Sequence, residues 1–164
     1  MGKKDNDSAD WSPKEIYTML QKKDGEGPIG LSPKKAYEVM SKNPQAVMID
    51  IRSTMEHLMI GHPRDAIHIP WLDEPEWTPN PRFVTSVREV LLGGLLGEGE
   101  DDPPVVVLIC RSGRRSMEAA KVLIDAGINN VFHVDSGFEG PLDDKHHRST
   151  QAGWRFEGLP WQQC

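Results

Sequence analysis

The stretch Val105-Val106-Val107-Leu108-Ile109-Cys110-Arg111-Ser112-Gly113-Arg114-Arg115-Ser116 decides the fold. Its apolar run, Val105 to Ile109, follows Pro103 and Pro104. The run is short and β-branched, as expected of a strand buried on both faces of a parallel sheet. It ends on Cys110 and turns through Arg111, Ser112, Gly113, Arg114 and Arg115. A helix is predicted from about Ser116 to Ala126, stopped by Gly127. A cysteine therefore stands at the carboxyl end of a buried strand, in a loop that enters a helix N-terminus. Open α/β sheets bind ligands at that place, where backbone N–H groups and the helix dipole favour an anion.

The loop composition sharpens this reading. Arg111, Arg114 and Arg115 all lie within five residues of Cys110. Positive charge and a helix N-terminus favour a thiolate over a thiol, and the thiolate is the nucleophile. Gly113 permits backbone angles that let N–H groups turn toward an anion. The blander alternative is an inert core cysteine followed by solvated arginines. The loop as a whole favours a reactive Cys110.

The Cys110 to Ser116 loop resembles the active-site loop of the rhodanese family of sulfurtransferases. Val47-Met48-Ile49-Asp50-Ile51-Arg52 is similar to that family's strand ending in Asp-x-Arg. Glu56, Gly61-His62 and Ala66 to Pro70 resemble its E-x(4)-G-H-I-x-G-A-x-x-x-P segment. Ser136-Gly137-Phe138-Glu139-Gly140, followed by Gly153-Trp154 and Gly158-Leu159-Pro160, resembles its closing G-G-F-x-x-W and G-x-P pattern. The ordered set spans about Leu31 to Trp161. The chain departs from the pattern at His62-Pro63-Arg64-Asp65-Ala66, which stands for His-Ile-x-Gly-Ala.

The resemblance implies an α/β rhodanese-like fold, with a mostly parallel central sheet flanked by helices on both faces. It implies sulfur transfer from thiosulfate or a similar donor to cyanide or a thiol through a Cys110 persulfide, with no cofactor. Arg111, Ser112, Gly113, Arg114, Arg115 and Ser116 would form the donor-binding loop, and Asp50 and Arg52 would support the fold. The partners expected are a small anionic sulfur donor and a thiol or cyanide acceptor, with a sulfur-accepting protein as a further candidate. Two rivals stand beside this reading. One is a persulfide carrier or interaction module without turnover. The other is a cysteine phosphatase or arsenate reductase, whose loop runs from cysteine through five residues to arginine. Here the residue at that spacing is Ser116, and Arg115 comes one position early, so the spacing does not match.

The whole chain sets the bounds. Its 164 residues suit one domain, with a short N-terminal extension over 1–30 and the rhodanese-like domain over 31–164. A hydrophobic fraction of 37% and a charged fraction of 27% are those of a soluble globular protein. The longest apolar run falls short of a membrane span, and Met1 to Asp10 lacks an apolar signal region, so a cytoplasmic monomer is the simplest expectation. A net charge of −6 argues against nucleic acid, yet leaves a local arginine cluster to attract a small anion. Cys110 and Cys164 are too few for a disulfide scaffold. Cys164 reads as an exposed tail thiol, the sharper alternative being a second thiol that takes sulfur from Cys110. The histidines His57, His62, His68, His146 and His147 match no zinc spacing, so no metal is expected.

Along the chain, Ser12-Pro13-Lys14-Glu15 predicts a capped helix to about Lys23, and Asp24 to Gly30 reads as a loop. Ser32-Pro33 starts a second helix that Asn43-Pro44 ends. Ala46 to Ile51 is a buried strand; Asp50 and Arg52 project to one side and read as an internal ion pair. Ser53-Thr54-Met55-Glu56 predicts another capped helix. Ala66 to Ile69 reads as an alternating strand with polar positions outward. The Trp71 to Pro81 loop would either rim the site or cover the sheet. A helix follows from about Arg82 to Leu92, closed by Gly93-Gly94, and Gly97 to Pro104 reads as an acidic turn-rich segment. Gly127 and Ile128 suit a Schellman end. Val131 to Val134 is a last strand, and Trp154, Phe156 and Trp161 would pin the irregular tail.

Overall fold

The structure, a computed structural model, describes residues 27–95 and 104–164. The helix expected at 12–23 and most of the acidic segment before Pro104 lie outside them. Strands β1 (Ile29–Leu31), β2 (Ala46–Asp50), β4 (Ile67–His68), β5 (Val105–Ile109) and β6 (Val131–Val134) form one sheet in the order β1-β6-β5-β2-β4. Each neighbouring pair runs parallel. A separate antiparallel pair joins β3 (His62–Pro63) to β7 (Trp161–Gln162).

The central strand explains why its sequence is apolar throughout. Successive side chains leave opposite faces of a strand. Val106, Leu108 and Cys110 enter one core with Phe83 and Val87 of α2 (Phe83–Leu95) and Ala119, Ala120 and Leu123 of α3 (Arg114–Asp125). Val105, Val107 and Ile109 enter the other, with Ala36 and Val39 of α1 (Pro33–Lys42), Phe138 and Trp154. Helices thus cover both faces, and β5 has no polar side to offer. Ala119 and Ala120 are wholly buried, their small side chains letting α3 approach the sheet closely. No helix among the described residues is long and apolar enough to cross a membrane.

Local signals act where they were read. Ser32 accepts a hydrogen bond from Lys35 N at 3.1 Å, capping α1. At the end of α3, Ile128 N donates to Leu123 O and Gly127 N to Ile124 O, both at 3.0 Å. These are the two bonds of a Schellman motif, with Gly127 left-handed at φ 93°.

Several expectations are corrected. Strand β1 takes Ile29 and Gly30 from the segment read as loop; three residues containing Gly30 carry no period, and pairing with β6 makes the strand. Helix α2 continues through Gly93 to Leu95, because Val87, Val90 and Leu91 pack it on the core and Gly93 does not turn left-handed. On β4 it is Ile67 that faces outward, 40% exposed, while His68 turns inward to donate Nε2–H to Arg52 O at 2.8 Å. The segment after Ser53 has the expected reciprocal cap, Glu56 N to Ser53 Oγ at 3.2 Å, but Glu56–Ile60 winds as a π-helix. Phe156 and Trp161 are both exposed, but the Trp161 ring meets Phe138 edge-on at 5.9 Å, and the indole of buried Trp154 donates to Pro160 O at 2.9 Å, so these two tryptophans hold the tail. Trp71 is buried edge-on against Phe83, and so its loop covers the sheet.

Candidate active site

Cys110 follows directly on β5 and is 1% exposed. The chain then reverses over three residues, and α3 begins at Arg114, two residues earlier than its sequence suggests. Gly113 makes this possible by capping the helix with φ 106°. A Cβ there would run into the Asp135 carbonyl, so no other residue fits without moving the chain. Arg114, Arg115 and Ser116 consequently form the first turn of α3 rather than the loop.

The turn after β6 clamps the loop from behind. Phe138 N donates to Cys110 O at 2.8 Å, and Glu139 N to Arg111 O at 2.9 Å. Gly137, left-handed at φ 69°, lies where a Cβ would strike the Cys110 and Arg111 carbonyls. The close approach of these two segments is the physical reason for the glycine in Ser136-Gly137-Phe138.

Around the sulfur, Gly113 N–H donates to Cys110 Sγ at 3.0 Å. The thiol lies 3.3 Å from the Ser116 hydroxyl, itself 2.9 Å from His133 Nδ1. Ser116 is wholly buried and His133 is 2% exposed. An amide, a hydroxyl and the positive end of α3 thus converge on one sulfur.

The three arginines divide. Arg111 and Arg114 are exposed, cations at the mouth of the loop. Arg115 makes a bidentate pair with Glu56, both bonds 2.8 Å. Burial works against the Arg115 charge, but Glu56 and then the charge of Cys110 outweigh it and raise its pKa. Burial likewise opposes the Glu56 carboxylate, and the Arg115 bonds win, lowering its pKa. Arg115 is therefore a fixed cation whose Nη1 and Nη2 each donate to Glu56. Ser112 is half-buried.

Behind this wall lies the Asp50–Arg52 pair, both residues wholly buried. Arg52 Nε donates to Asp50 Oδ1 at 2.9 Å and Nη2 to Oδ2 at 2.8 Å; Nη2 also reaches the Gly61 carbonyl. The guanidinium carbon stands 4.5 Å over the Phe138 ring. Burial would raise the Asp50 pKa, but hydrogen bonds from His57 and Arg52 hold it far below the usual carboxylate range. The pair ties the end of β2 to the residue whose amide holds Cys110, and it does not touch the sulfur loop.

Three of the histidines whose spacing matches no zinc pattern come together here. The His57 ring stacks between His62 (centroids 3.8 Å) and His68 (4.3 Å). Each donates to an acceptor that cannot donate back: His57 to Asp50 Oδ2, His62 to His57 O, His68 to Arg52 O, all at 2.8 Å. The stack is a hydrogen-bonded support for the ion pair. Among the described residues, no group of three or more His, Cys, Asp or Glu could hold a metal ion. The departure at Pro63-Arg64-Asp65-Ala66 still makes a closed turn, with Ala66 N donating to Pro63 O at 3.1 Å.

Two residues of the site escaped the sequence reading. Glu56 reads as a cap and as the glutamate of the E-x(4)-G-H segment, but nothing in its spacing names Arg115. His133 did carry a signal, being the polar member of the apolar strand Val131-Phe132-His133-Val134.

A family model for the rhodanese-like domain matches residues 32–142. The chain belongs to the rhodanese-like domain family. This membership supports sulfur transfer as the class of reaction. The rhodanese-like chain is 28% identical over 134 residues to an uncharacterized Rickettsia rickettsii protein, RP600 homolog, covering 78% of this chain and 92% of that one. It is 28% identical over 130 residues to the thiosulfate sulfurtransferase GlpE of Actinobacillus pleuropneumoniae, covering 79% of this chain and 89% of that enzyme. Among solved structures it is similar to Rv0390 from M. tuberculosis, with TM-score 0.70 and 35% identity, covering 84% of this chain and 99% of that one.

Proposed function

We propose that the protein carries sulfane sulfur as a persulfide on Cys110, taking it from thiosulfate or a similar anionic donor and passing it to a thiol or to cyanide. The observation that carries this reading is the sulfur's setting: Gly113 N–H at 3.0 Å and the Ser116 hydroxyl at 3.3 Å, at the N-terminus of α3. In the first step the Cys110 thiolate attacks the outer sulfur of thiosulfate. A new S–S bond forms, the old one breaks, and sulfite leaves with the electron pair. The persulfide anion then rests against the same donors. In the second step the acceptor attacks the outer sulfur, thiocyanate or an acceptor persulfide departs, and the Cys110 thiolate returns. Exposed Arg111 and Arg114 draw the dianionic donor to the mouth, Ser112 lines the turn, and Arg115 supplies fixed charge. The similarity to a thiosulfate sulfurtransferase over 79% of the chain supports thiosulfate as donor.

The phosphatase reading fares worse. Ser116, where that reaction needs arginine, is buried against the sulfur, and Arg115 is committed to Glu56. The carrier reading has one observation in its favour, the 1% exposure of Cys110, which suits release to a protein that opens the loop. The test is thiosulfate:cyanide turnover of wild type beside Cys110→Ser, with intact-mass spectrometry after thiosulfate. An added sulfur mass and turnover, both lost in the variant, are expected. An adduct without turnover would leave a carrier. Neither signal from folded, reduced protein would overturn the proposal.

A further inference from the structure

We propose that His133 takes the proton of Cys110 through the Ser116 hydroxyl and so sets the thiolate population of the site. The proposal rests on Cys110 being the sulfur-carrying thiol. Cys110, Ser116 and His133 are 1%, 0% and 2% exposed. With water excluded, a proton leaving the sulfur needs an internal acceptor. Among the described residues, His133 is the base that hydrogen bonds connect to it, by steps of 3.3 Å from Sγ to Oγ and 2.9 Å from Oγ to Nδ1.

The step balances without any added reagent. With Nδ1 unprotonated, Ser116 donates to His133 and accepts from the Cys110 thiol. The Ser116 O–H bond breaks as the Nδ1–H bond forms, and the cysteine proton replaces it on oxygen. A thiolate and an imidazolium remain, with total charge unchanged. The reoriented network is also satisfied. His133 then donates to Ser116, which donates to the thiolate or to the Gly113 carbonyl 3.2 Å away. Gly113 N–H holds the sulfur at 3.0 Å.

Burial pushes the His133 pKa down, so the ring starts neutral; the charge it gains is balanced by the Cys110 sulfur at the other end of the two-bond chain. On α3, which packs against the ring, Arg114, Glu118 and Lys121 are exposed and Arg115 is held by Glu56. Asp135 lies beyond the end of β6, and α1, across the sheet, brings Lys35 paired with Glu38. β1 presents Gly30 to the ring, and β5 contributes only apolar residues before Cys110. His133 acts through Ser116 and is a positioning residue.

The test is the pH profile of Cys110 alkylation by iodoacetamide, read by peptide mass spectrometry so that exposed Cys164 is scored separately. A coupled thiol and imidazole titrate in two macroscopic steps. Wild type should therefore show two rises separated by a plateau. His133→Asn keeps a polar partner for Ser116 but accepts no proton. Its lower rise should vanish, slowing alkylation on the wild-type plateau by at least about tenfold, since two coupled steps resolve only when they lie more than about one unit apart. Ser116→Ala, which breaks the same chain, should do likewise. A single rise in wild type, or superimposable profiles in wild type and the folded variants, would overturn the proposal. If neither variant folds, the wild-type profile alone decides. The readout needs no sulfur donor. Two rises without persulfide formation would sink the proposed function alone, and persulfide formation with one rise would sink the relay alone.

Discussion

Replacing Arg52 by Met tests whether the buried pair behind the site does what its geometry says. The guanidinium makes two bonds to Asp50 and one to the Gly61 carbonyl, and its Nη1 has no acceptor, lying in a group stacked over Phe138. Methionine fills much of the volume, so the loss is mainly electrostatic. It leaves the Asp50 carboxylate wholly buried with His57 Nδ1 and one backbone amide as its donors. Breaking one side of a buried pair costs about 3–5 kcal/mol. That is a large share of the roughly 5–15 kcal/mol that holds a domain together. Asp50→Asn strands the guanidinium instead and should cost a similar amount. The double variant strands neither charge, and an asparagine oxygen can still accept from the residue 52 amide. Its cost should fall below the sum of the single variants by about 2–3 kcal/mol, within the range for directly coupled residues. Urea denaturation followed by circular dichroism at 25 °C measures all four corners of the cycle. Costs that add to within about 0.5 kcal/mol would refute the reasoning, because independent sites add in that way. Phe138 N–H holds the Cys110 carbonyl, so sulfur transfer should drop in Arg52→Met even where the protein is folded.

Stability should decline in two stages as pH falls. His68 and His133 have pKa values lowered by burial, so the unfolded chain binds their protons first, and stability begins to fall below the unfolded histidine value of about 6.5. Asp50 and Glu56 are also depressed, so their contribution is complete above about pH 4–5 and is lost below it as the unfolded carboxylates protonate; a denaturation midpoint flat from about pH 7 to pH 5 would contradict the histidine stage, and one flat from about pH 5 to pH 3 the carboxylate stage. Gly113→Ala should fold yet lose more than about tenfold in sulfur transfer, since moving residue 113 off the Asp135 carbonyl takes its N–H from the sulfur; unchanged turnover would disprove the fit. In unfolding-free buffer a bulky aromatic disulfide reagent should titrate Cys164 at once and Cys110 slowly, given their burial, and equal rates would show that the loop opens readily.

Much of this was legible because it is local or periodic. The run from Val105 to Ile109 announces a strand buried on both faces, and a cysteine, a glycine and arginines at its end announce an anion-holding turn. Ser32 and Gly127 act as caps because capping is decided within a few residues. What stayed hidden depends on contacts across the chain. β1 is a strand only because β6 lies beside it. Glu56 and Arg115 are 59 positions apart, and only the folded chain shows that one holds the other. The stack of His57, His62 and His68 arises because a π-helical turn, β3 and β4 converge, and no spacing rule encodes that convergence.

The division among the arginines bears on how the site handles charge. A mouth lined by three free guanidinium groups would bind a dianion tightly and release sulfite slowly, since binding that is equal in ground and transition states does not raise turnover. Here Glu56 engages two Arg115 donors and fixes the side chain, while its positive charge still acts on the sulfur. On the proposed reading, Arg111 and Arg114, exposed and screened by salt, would attract the donor without holding it hard. Glu56→Gln should therefore free Arg115 for the donor, lowering the KM for thiosulfate and slowing sulfite release. The two side chains are only 16% and 14% exposed, so the lost bonds should cost about 1–3 kcal/mol of stability. Steady-state kinetics at two ionic strengths separate the effects: a KM that rises in Glu56→Gln would mean that Glu56 serves to place Arg115 on the donor rather than to keep it off.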